Sequence, residues 1–389
     1  MSADSESLHS GRAELPRIAA DFGFTQEHEL LRESARRFLS GRCPIAEVRR
    51  LAADPVGFDP ELWERIAELG WIGLLTSAEL GGAAVDHLQL ALLLEEMGRL
   101  LLPSPYLGCL LALRALERHG TGETHSRYAR AITGGSLIAS VALSEPGGSW
   151  EPEQVEARAE PEGDAFRLSG IKTHAAFGAN AGLLLAPFRM PDGGVELFAI
   201  ELPAPQVSVI PEVNVDVTRR TARVSIERQL APPESRLQAG AQGLASLYAF
   251  GCFALAAEMV GGADAVLGRT RDYATERRQF GRAIGAFQAV KHPIVDMLVG
   301  VELARSLVLG AAVSFDQDPE HAETAARMAK SLASDVFSYA VRKSVQLHGG
   351  FGFTWDCDVH FYFKRALASR GMLGDAAHHR RHLAAQLLG

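Results

Sequence analysis

The sequence contains one long segment without a charged side chain, and this segment limits what the chain can fold into. It runs from Leu237 to Ala257 and is long enough to cross a membrane as a helix. Gln238, Gln242, Ser246 and three glycines interrupt it, and Arg236 is the only basic residue close to its ends. This composition favours a helix that is buried on nearly all sides inside a large soluble bundle. We therefore expect a helical core and no membrane span.

The periodicity of the apolar residues changes twice along the chain. It is helical over residues 22–135, alternates in short segments separated by turns over residues 136–231, and is helical again, in long stretches, over residues 232–389. Residues 1–14 are polar and lack the apolar segment of a signal peptide, and we expect a flexible N-terminus over residues 1–21. The pattern predicts an α+β multidomain protein with an N-terminal helical domain, a central β-sandwich or barrel and a C-terminal antiparallel helical bundle.

Capping and turn residues set the expected ends of several elements. Thr25 and Asp59 are candidate N-caps, and Asp375 is a candidate N-cap for a last short helix. The Pro-Glu-Gly-Asp sequence at residues 161–164 predicts a hairpin turn. The expected strands of this hairpin are Val155–Ala159 and Ala165–Ile171, and the expected long C-terminal helices are Gly243–Thr275, Ala286–Phe315 and Ala322–Leu347.

The composition narrows the class of protein further. Lys and Arg number 39 against 47 Asp and Glu, for a net charge of −8, and no block of basic residues is present that follows a phosphate backbone. Nucleic acid is therefore not an expected partner. The four cysteines lie far apart and form no CxxC pair, which favours reduced thiols in a cytoplasmic protein over a disulfide scaffold.

General catalytic and metal-binding motifs are absent from the sequence or incomplete. There is no Walker A sequence and no GxSxG motif, and the glycine cluster Gly349–Gly352 follows a long helix rather than the strand that a Rossmann fingerprint requires. His378 and His382 have the i, i+4 spacing of a zinc pair, with Asp375 nearby. A metal site also needs a third ligand and supporting contacts. We therefore interpret these histidines as the solvated face of a basic last helix and expect no metal.

Three groups of motifs carry a resemblance to a known family. The first joins Gly70-Trp-Ile-Gly73 to Glu79-Leu-Gly-Gly82, and the second is the loop Ser144-Glu-Pro-Gly-Gly-Ser149. The third consists of Arg277-Arg-Gln-Phe-Gly281, Phe287-Gln288 and Gln346-Leu-His-Gly-Gly-Phe-Gly-Phe353. In this order and spacing, over essentially the whole chain, they resemble the acyl-CoA dehydrogenase family. The resemblance implies a helical domain, a β domain and a four-helix bundle that assemble as dimers or tetramers with FAD. It also implies an acyl-CoA substrate and an electron-transfer flavoprotein as electron acceptor.

The resemblance assigns FAD contacts to residues of this chain. Those that the family gives to the flavin of a neighbouring subunit are Arg277, Phe280, Gln288, Gln346, Gly349 and Gly350. The guanidinium suits the cofactor phosphates, and the glycines allow close approach of the backbone. On the flavin side of the chain's own site, Ser144 keeps a hydroxyl, whereas His174 and Ala176 replace the family's Trp and Thr. Ser149 is the candidate contact to the CoA arm.

The resemblance also locates the catalytic base, and this chain lacks it. The usual carboxylate position falls on Leu373, and the alternative position on the first bundle helix falls on Gly251, followed by Cys252 where the family often has Arg. Neither residue accepts a proton. Asp375 is the nearest substitute, although its simpler role is the N-cap of the last helix. Glu258 lies roughly two turns beyond Gly251 and is expected to face another way.

These departures predict a divided role. The residues for a neighbour's FAD are kept, while most of those for the chain's own site are changed. This division resembles heterotetrameric acyl-CoA dehydrogenases of actinobacterial steroid side-chain breakdown, and our leading hypothesis is the base-less subunit of such an α2β2 enzyme. The alternatives are a self-sufficient homotetramer that uses Asp375, a flavin-free structural or acyl-CoA-binding subunit, and a flavin oxygenase or oxidase on the same fold.

Overall fold

The computed structural model describes residues 22–388, and its elements follow the helix–strand–helix order expected from the sequence. The N-terminal helices are α1 (Gln26–Arg42), α2 (Ile45–Ala53), α3 (Pro60–Glu68), α4 (His87–Arg99), α5 (Tyr106–His119) and α6 (Gly122–Thr133). The strands are β1 (Ala139–Val141), β2 (Arg158–Glu162), β3 (Ala165–Ala176), β4 (Leu183–Arg189), β5 (Val195–Glu201), β6 (Val207–Pro211), β7 (Thr221–Ala231) and β8 (Arg236–Leu237). The flexible N-terminus expected at residues 1–21 lies outside the described residues.

The C-terminal part begins with the longest helix. It comprises α7 (Gly240–Glu276), the two-stranded hairpin β9 (Arg278–Gln279) and β10 (Arg282–Ala283), α8 (Gln288–Gln317), α9 (Pro319–Leu347), α10 (Val359–Gly371) and α11 (Ala376–Leu388). The first three helices fall close to the expected positions. The sequence interpretation missed α10, because turn residues at 354–358 directly precede it and a buried arginine, Arg365, interrupts its apolar pattern.

The predicted caps are confirmed by their hydrogen bonds. Asp59 accepts from the amides of Glu61 at 2.9 Å and Leu62 at 3.3 Å, which fixes the start of α3. At the start of α1, Thr25 forms a capping box in which its amide donates to Nδ1 of His28 at 3.0 Å. These hydrogen bonds lie within the first turn of each helix.

The central strands form one mixed sheet with the order β6-β7-β3-β2-β4-β5-β8, and β1 pairs in parallel with β4. The sheet is strongly curled. The ring centroids of Phe166 on β3 and Phe198 on β5 lie 5.4 Å apart, although β2 and β4 stand between these two strands in the sheet order. The two halves of the sheet therefore face each other, as the expected β-sandwich or barrel requires, and a single residue pair, Arg158 with Arg189, joins β2 to β4. The first hairpin strand is β2, a few residues later than expected, because residues 152–154 form a turn of 3₁₀ helix. Strand β8 also lies beyond the boundary placed at residue 232.

The charge-free segment lies in the core, as expected. It falls almost entirely in α7, which packs against α4, α8 and α9. Both α7 and α8 are long and apolar enough to cross a membrane by length and composition. The most apolar window of α7 is 83% buried inside the protein, whereas that of α8 is only 33% buried. Helix α7 is therefore a core helix, whereas α8 has an apolar face that residues 22–388 leave uncovered.

Candidate active site

A cavity of about 570 Å³ lies where the three parts of the chain meet. Its walls come from α5, from the loop after β1, from β3, from the segment before β7 and from the C-terminal end of α10. The residues used below that line it are Leu111, Ser144, Glu145, Thr173, His174, Arg219, Thr221, Met372 and Leu373. The motifs that the sequence places more than 200 residues apart, at Ser144 and at Leu373, thus share one cavity.

Ser144 and His174 meet at the strand end of this cavity. The backbone of Thr173 donates to the Ser144 carbonyl at 2.9 Å, and the two hydroxyls are 3.1 Å apart. His174 has a left-handed backbone, with φ 55°, and its side chain is exposed. Glu212 lies 3.1 Å from both its amide nitrogen and Nδ1. The sequence reasoning identified the hydroxyl and the imidazole, but it missed Thr173 and Glu212, which hold them in place.

Glu145 is the one carboxylate residue among the described residues that line this cavity, and its oxygens are already bound. Lys172 donates to it at 2.5 Å, and the amides of Glu156 and Ala157 donate at 2.6 and 3.2 Å. Burial lowers the pKa of Lys172, and the adjacent Glu145 opposes this shift. The Glu145 carboxylate is therefore already occupied by three donors of the protein and makes a structural contact. The pair ties the loop after β1 to β3.

The two family positions for the base are neighbours in space. A Cβ atom built on Gly251 would lie 2.7 Å from Cδ1 of Leu373 and 3.4 Å from Leu111. Leu373 is buried, with φ 56°, and Cys252 donates its thiol to the Leu373 carbonyl at 3.5 Å. Burial raises the pKa of Cys252 to about 11. The wall where the family places a carboxylate is therefore apolar, and the nearby thiol stays protonated.

Asp375 and Glu258 have other partners. Asp375 accepts from the amide of His378 at 2.8 Å, which caps α11 and holds the pKa of the carboxyl below its ordinary value. Glu258 forms an ion pair with Arg219, whose guanidinium also lies 3.2 Å from the sulfur of Met372. Neither carboxylate lines the cavity among the described residues. Glu258 instead holds Arg219, which does line the cavity.

The six residues assigned to a neighbour's FAD lie elsewhere, on the exposed surface around the end of α7. Tyr273, in the last turn of α7, stacks on His348 at 4.3 Å, so this end packs against the glycine cluster. The ring of Phe280 lies 6.1 Å from that of Phe287, which directly precedes Gln288. All six are exposed in the single chain, namely Arg277, Phe280, Gln288, Gln346, Gly349 and Gly350.

The shape and charge of these two surfaces fit the parts of FAD that the resemblance assigns to them. Among the described residues Arg277 has no ion-pair partner, and Cβ atoms built on Gly349 and Gly350 would meet no atom within 4 Å. An unpaired guanidinium and an accessible glycine backbone are both groups that suit a pyrophosphate. In the cavity, the hydroxyl of Thr221 is buried without a hydrogen-bond partner in the described chain. Such an unsatisfied group fits a polar ligand atom.

Ser149 lines a second, polar cavity of about 660 Å³ beside the first. Its hydroxyl accepts from the amide of Glu151 at 3.1 Å, and the walls include Arg158, Arg189 and Tyr248. The candidate CoA contact therefore lies next to the apolar cavity but does not line it.

Comparison with known proteins agrees with this arrangement. The profile of the acyl-CoA dehydrogenase N-terminal domain matches residues 25–136, and that of the C-terminal domain matches residues 244–388. The chain is 32% identical to the Mycobacterium tuberculosis acyl-CoA dehydrogenase IpdE2, over 90% of this chain and 93% of that protein.

Solved structures show the same similarity. A variant of the Tcur3481–Tcur3483 steroid ACAD superposes with a TM-score of 0.85 at 30% identity, over 93% of this chain and 97% of that one. The ChsE4–ChsE5 complex from Mycobacterium tuberculosis superposes with a TM-score of 0.86 at 27% identity, over 94% and 98%. Because the two domain profiles and the similarity to IpdE2 cover most of its length, the chain belongs to the acyl-CoA dehydrogenase family of FAD-dependent oxidoreductases that act on CH–CH bonds.

Proposed function

We propose that this chain is the base-less subunit of an α2β2 acyl-CoA dehydrogenase. It gives FAD-binding residues to a partner chain that carries the catalytic base. The proposal rests on one observation. Gly251 and Leu373, the two positions that the family resemblance gives for the catalytic base, lie against each other at one buried apolar wall. The similarity to the Tcur3481–Tcur3483 and ChsE4–ChsE5 structures supports a heteromeric assembly.

The chemistry explains why this wall matters. Removal of the α-proton of an acyl thioester needs a base within hydrogen-bond reach of the α-carbon. When bound, FAD accepts the hydride that leaves the β-carbon. In this chain Leu111 and Leu373 keep that part of the cavity dry but offer no proton acceptor. Proton removal is therefore assigned to the partner's site.

The exposed surface around the end of α7 binds the FAD of the partner chain in this proposal. Arg277 pairs with the phosphates of the partner's FAD, Phe280 packs beside the cofactor, and Gln288 and Gln346 hydrogen-bond its adenosine side. These groups act only in an assembly, because within the described chain they lie on an outer surface. We assign the complex to the cytoplasm, with an electron-transfer flavoprotein as electron acceptor and an acyl-CoA, such as a steroid side-chain thioester, as substrate.

The test is the ratio of flavin to protomer. The chain is purified alone and after coexpression with an acyl-CoA dehydrogenase paralogue encoded next to it. We expect a colourless chain alone and one flavin for every two protomers in the complex. One flavin per protomer in the chain alone, bleached by an acyl-CoA, would overturn the proposal and favour the self-sufficient enzyme. Absence of flavin from an assembled complex would favour the flavin-free subunit.

Two matched variants locate the contribution of this chain. Arg277→Gln removes the guanidinium assigned to the phosphates, and Arg278→Gln changes the adjacent exposed arginine in β9. We expect the first variant to assemble with the partner but lose most of the flavin, and the second to keep it. Equal flavin content in both variants would contradict the proposed role of Arg277.

A third variant separates the proposal from its main alternative. Asp375→Asn keeps a side-chain oxygen that caps α11 but removes the carboxylate. Turnover of the assembled complex should survive this change. Loss of turnover in a variant that still assembles and retains its flavin would identify Asp375 as the base.

A further inference from the structure

Two histidines and a carboxylate from distant parts of the chain converge beside the polar cavity. His382 Nε2 lies 2.7 Å from Oε1 of Glu151, and Nδ1 of His378 lies 3.8 Å from the same oxygen. One ligand atom from each of the three side chains lies within 4.8 Å of the other two. The sequence pairs the histidines with Asp375, but that carboxylate caps α11, and Glu151 takes the third position instead.

The fold holds these three side chains in a fixed relation. The Asp375 cap sets the start of α11, so His378 and His382 lie one turn apart on the same face, whereas His379 is buried. On the other side, the amide of Glu151 donates to the Ser149 hydroxyl, and the adjacent ring of Trp150 packs edge-on against Tyr248 at 6.1 Å. The start of α11 and the loop of Ser149 are therefore each held by their own contacts, and together they place the three side chains close to one another.

The donor set and its spacing suit a divalent transition metal. Imidazole nitrogen and carboxylate oxygen bind Zn²⁺ at about 2.0–2.2 Å, so ligand atoms on a tetrahedral ion lie about 3.4 Å apart. The observed separations lie on either side of that value and need only small side-chain rotations. All three side chains are partly exposed, which leaves a path for the ion and a fourth position for water.

The surrounding charges both favour and oppose a cation. Glu153 and Glu156 line the adjoining cavity with Glu151, and Arg158 and Arg189 line it as well, so acidic groups outnumber basic ones there. Arg327 and Arg381 lie near His378, and their positive charges oppose a cation there. Arg327, however, is paired with Glu323 at 2.7 Å.

We propose that Glu151, His378 and His382 form a binding site for a divalent transition-metal ion, which joins the loop of Ser149 to the last helix. The site is independent of the flavin role proposed above, because none of its ligands contacts the FAD-binding surface. Its position predicts a structural effect: the ion holds the loop of Ser149 and Glu151, which line the polar cavity, against α11.

The experiment uses the full chain without a histidine tag and Co²⁺ as the probe. We expect about one ion per protomer in equilibrium dialysis and the visible absorption of a low-symmetry Co²⁺ site. His382→Ala and Glu151→Gln should each weaken binding at least about 100-fold, because each removes a direct ligand. His321→Ala is the matched control, since His321 is an exposed histidine on α9 that should leave binding unchanged.

Trp150 gives a second readout that does not depend on the affinity. Bound Co²⁺ should quench its fluorescence, and the quenched fraction should disappear in Trp150→Phe while the stoichiometry stays at about one. Equal binding by the wild type and the His382→Ala and Glu151→Gln variants would overturn the proposal. Binding that is lost only in His321→Ala would overturn it as well.

Discussion

At the scale of single residues, the C-terminal wall of the cavity depends on buried charged groups. Lys330 of α9 donates to the Ser334 hydroxyl at 3.0 Å and to the carbonyls of Arg370 and Gly374 at 3.3 and 3.0 Å. It therefore ties α9 to the turn that carries Leu373. Burial lowers the pKa of Lys330 to about 8, with Cys252 and Asp375 opposing the shift.

The lowered pKa of Lys330 predicts a dependence of stability on pH. Between pH 8 and about 10.4 the unfolded chain holds a proton on this lysine that the folded chain has lost, so stability rises with pH. The free energy of unfolding of the wild type, relative to Lys330→Met, should therefore increase by about 1.4 kcal/mol per pH unit within this window. Urea unfolding at pH 7.5, 8.5 and 9.5 measures it. The exposed Lys291→Met is the control, and a constant difference for Lys330→Met would contradict the prediction.

A second buried cluster lies where the segment before β7 meets α10. Asp216 accepts from the Thr218 amide at 2.9 Å, from its hydroxyl at 2.5 Å and from Nε of Arg365 at 2.5 Å. Burial alone would raise the pKa of Asp216, but the charges of Arg365 and Arg219 outweigh it and hold the pKa below its ordinary value. The cluster positions Arg219 at the cavity.

Asp216→Ala should destabilise the chain by about 3–5 kcal/mol, because it leaves Arg365 buried without its carboxylate. The matched control is Glu160→Ala, which breaks an exposed pair with Arg228 and should cost about 0–1 kcal/mol. Urea midpoints of both variants measure the difference. Similar midpoints would show that the Asp216 pair contributes no more than a surface pair.

At the scale of elements, α4 and α7 cross with their backbones in contact. A Cβ atom built on Gly98 of α4 would lie 2.0 Å from the carbonyl oxygen of Glu258, and one built on Gly261 of α7 would lie 1.9 Å from that of Glu95. No side chain fits either position without separating the helices. This close crossing joins the N-terminal helices to the bundle and keeps Glu258 beside Arg219.

Two glycine substitutions on α7 should therefore have opposite effects. Gly261→Ala should lower stability by about 1–3 kcal/mol or more, because the added methyl group overlaps the α4 backbone. Gly268→Ala lies on the same helix with no atom within 4 Å of its built Cβ, and it should raise stability by up to about 1 kcal/mol. Thermal unfolding of the pair measures both. Equal melting temperatures would contradict the close crossing.

The elements also show what the sequence determines by itself. Caps such as Thr25 and Asp59 act within one turn, and the helices they begin were predicted. The register shifts in β3, between Leu168 and Gly170 and between Lys172 and Ala175, leave no comparable local signal. The contacts that form the cavity and the proposed metal site depend on tertiary packing. Examples are the contact of Glu145 with Lys172 and that of Glu151 with His382. The family motifs identified candidate residues, but only the fold showed which of them lie together.

At the scale of the whole molecule, α8 presents an uncovered apolar stripe. Val295, Val299 and Leu303 follow one another at i, i+4 and i+8, and they are 53%, 52% and 56% exposed. An apolar stripe of this kind marks an interaction surface more often than a solvated face. It explains why α8 is as apolar as a core helix although only a third of its most apolar window is buried. We infer that assembly covers it.

Val299→Asp places a charge at the centre of this stripe and should therefore weaken the assembly. Desolvating an unpaired carboxylate at an interface is costly, whereas the same side chain on a free protomer remains hydrated. In the coexpressed complex, light scattering should show a shift of mass from the tetramer to smaller species, with loss of flavin in proportion. Leu30→Asp is the control, since Leu30 is 57% exposed on α1, away from the bundle. If the Val299→Asp complex kept the mass and the flavin of the wild type, the α8 face would lie outside the subunit interface. The surface around Arg277 would then have to contact the partner without help from α8.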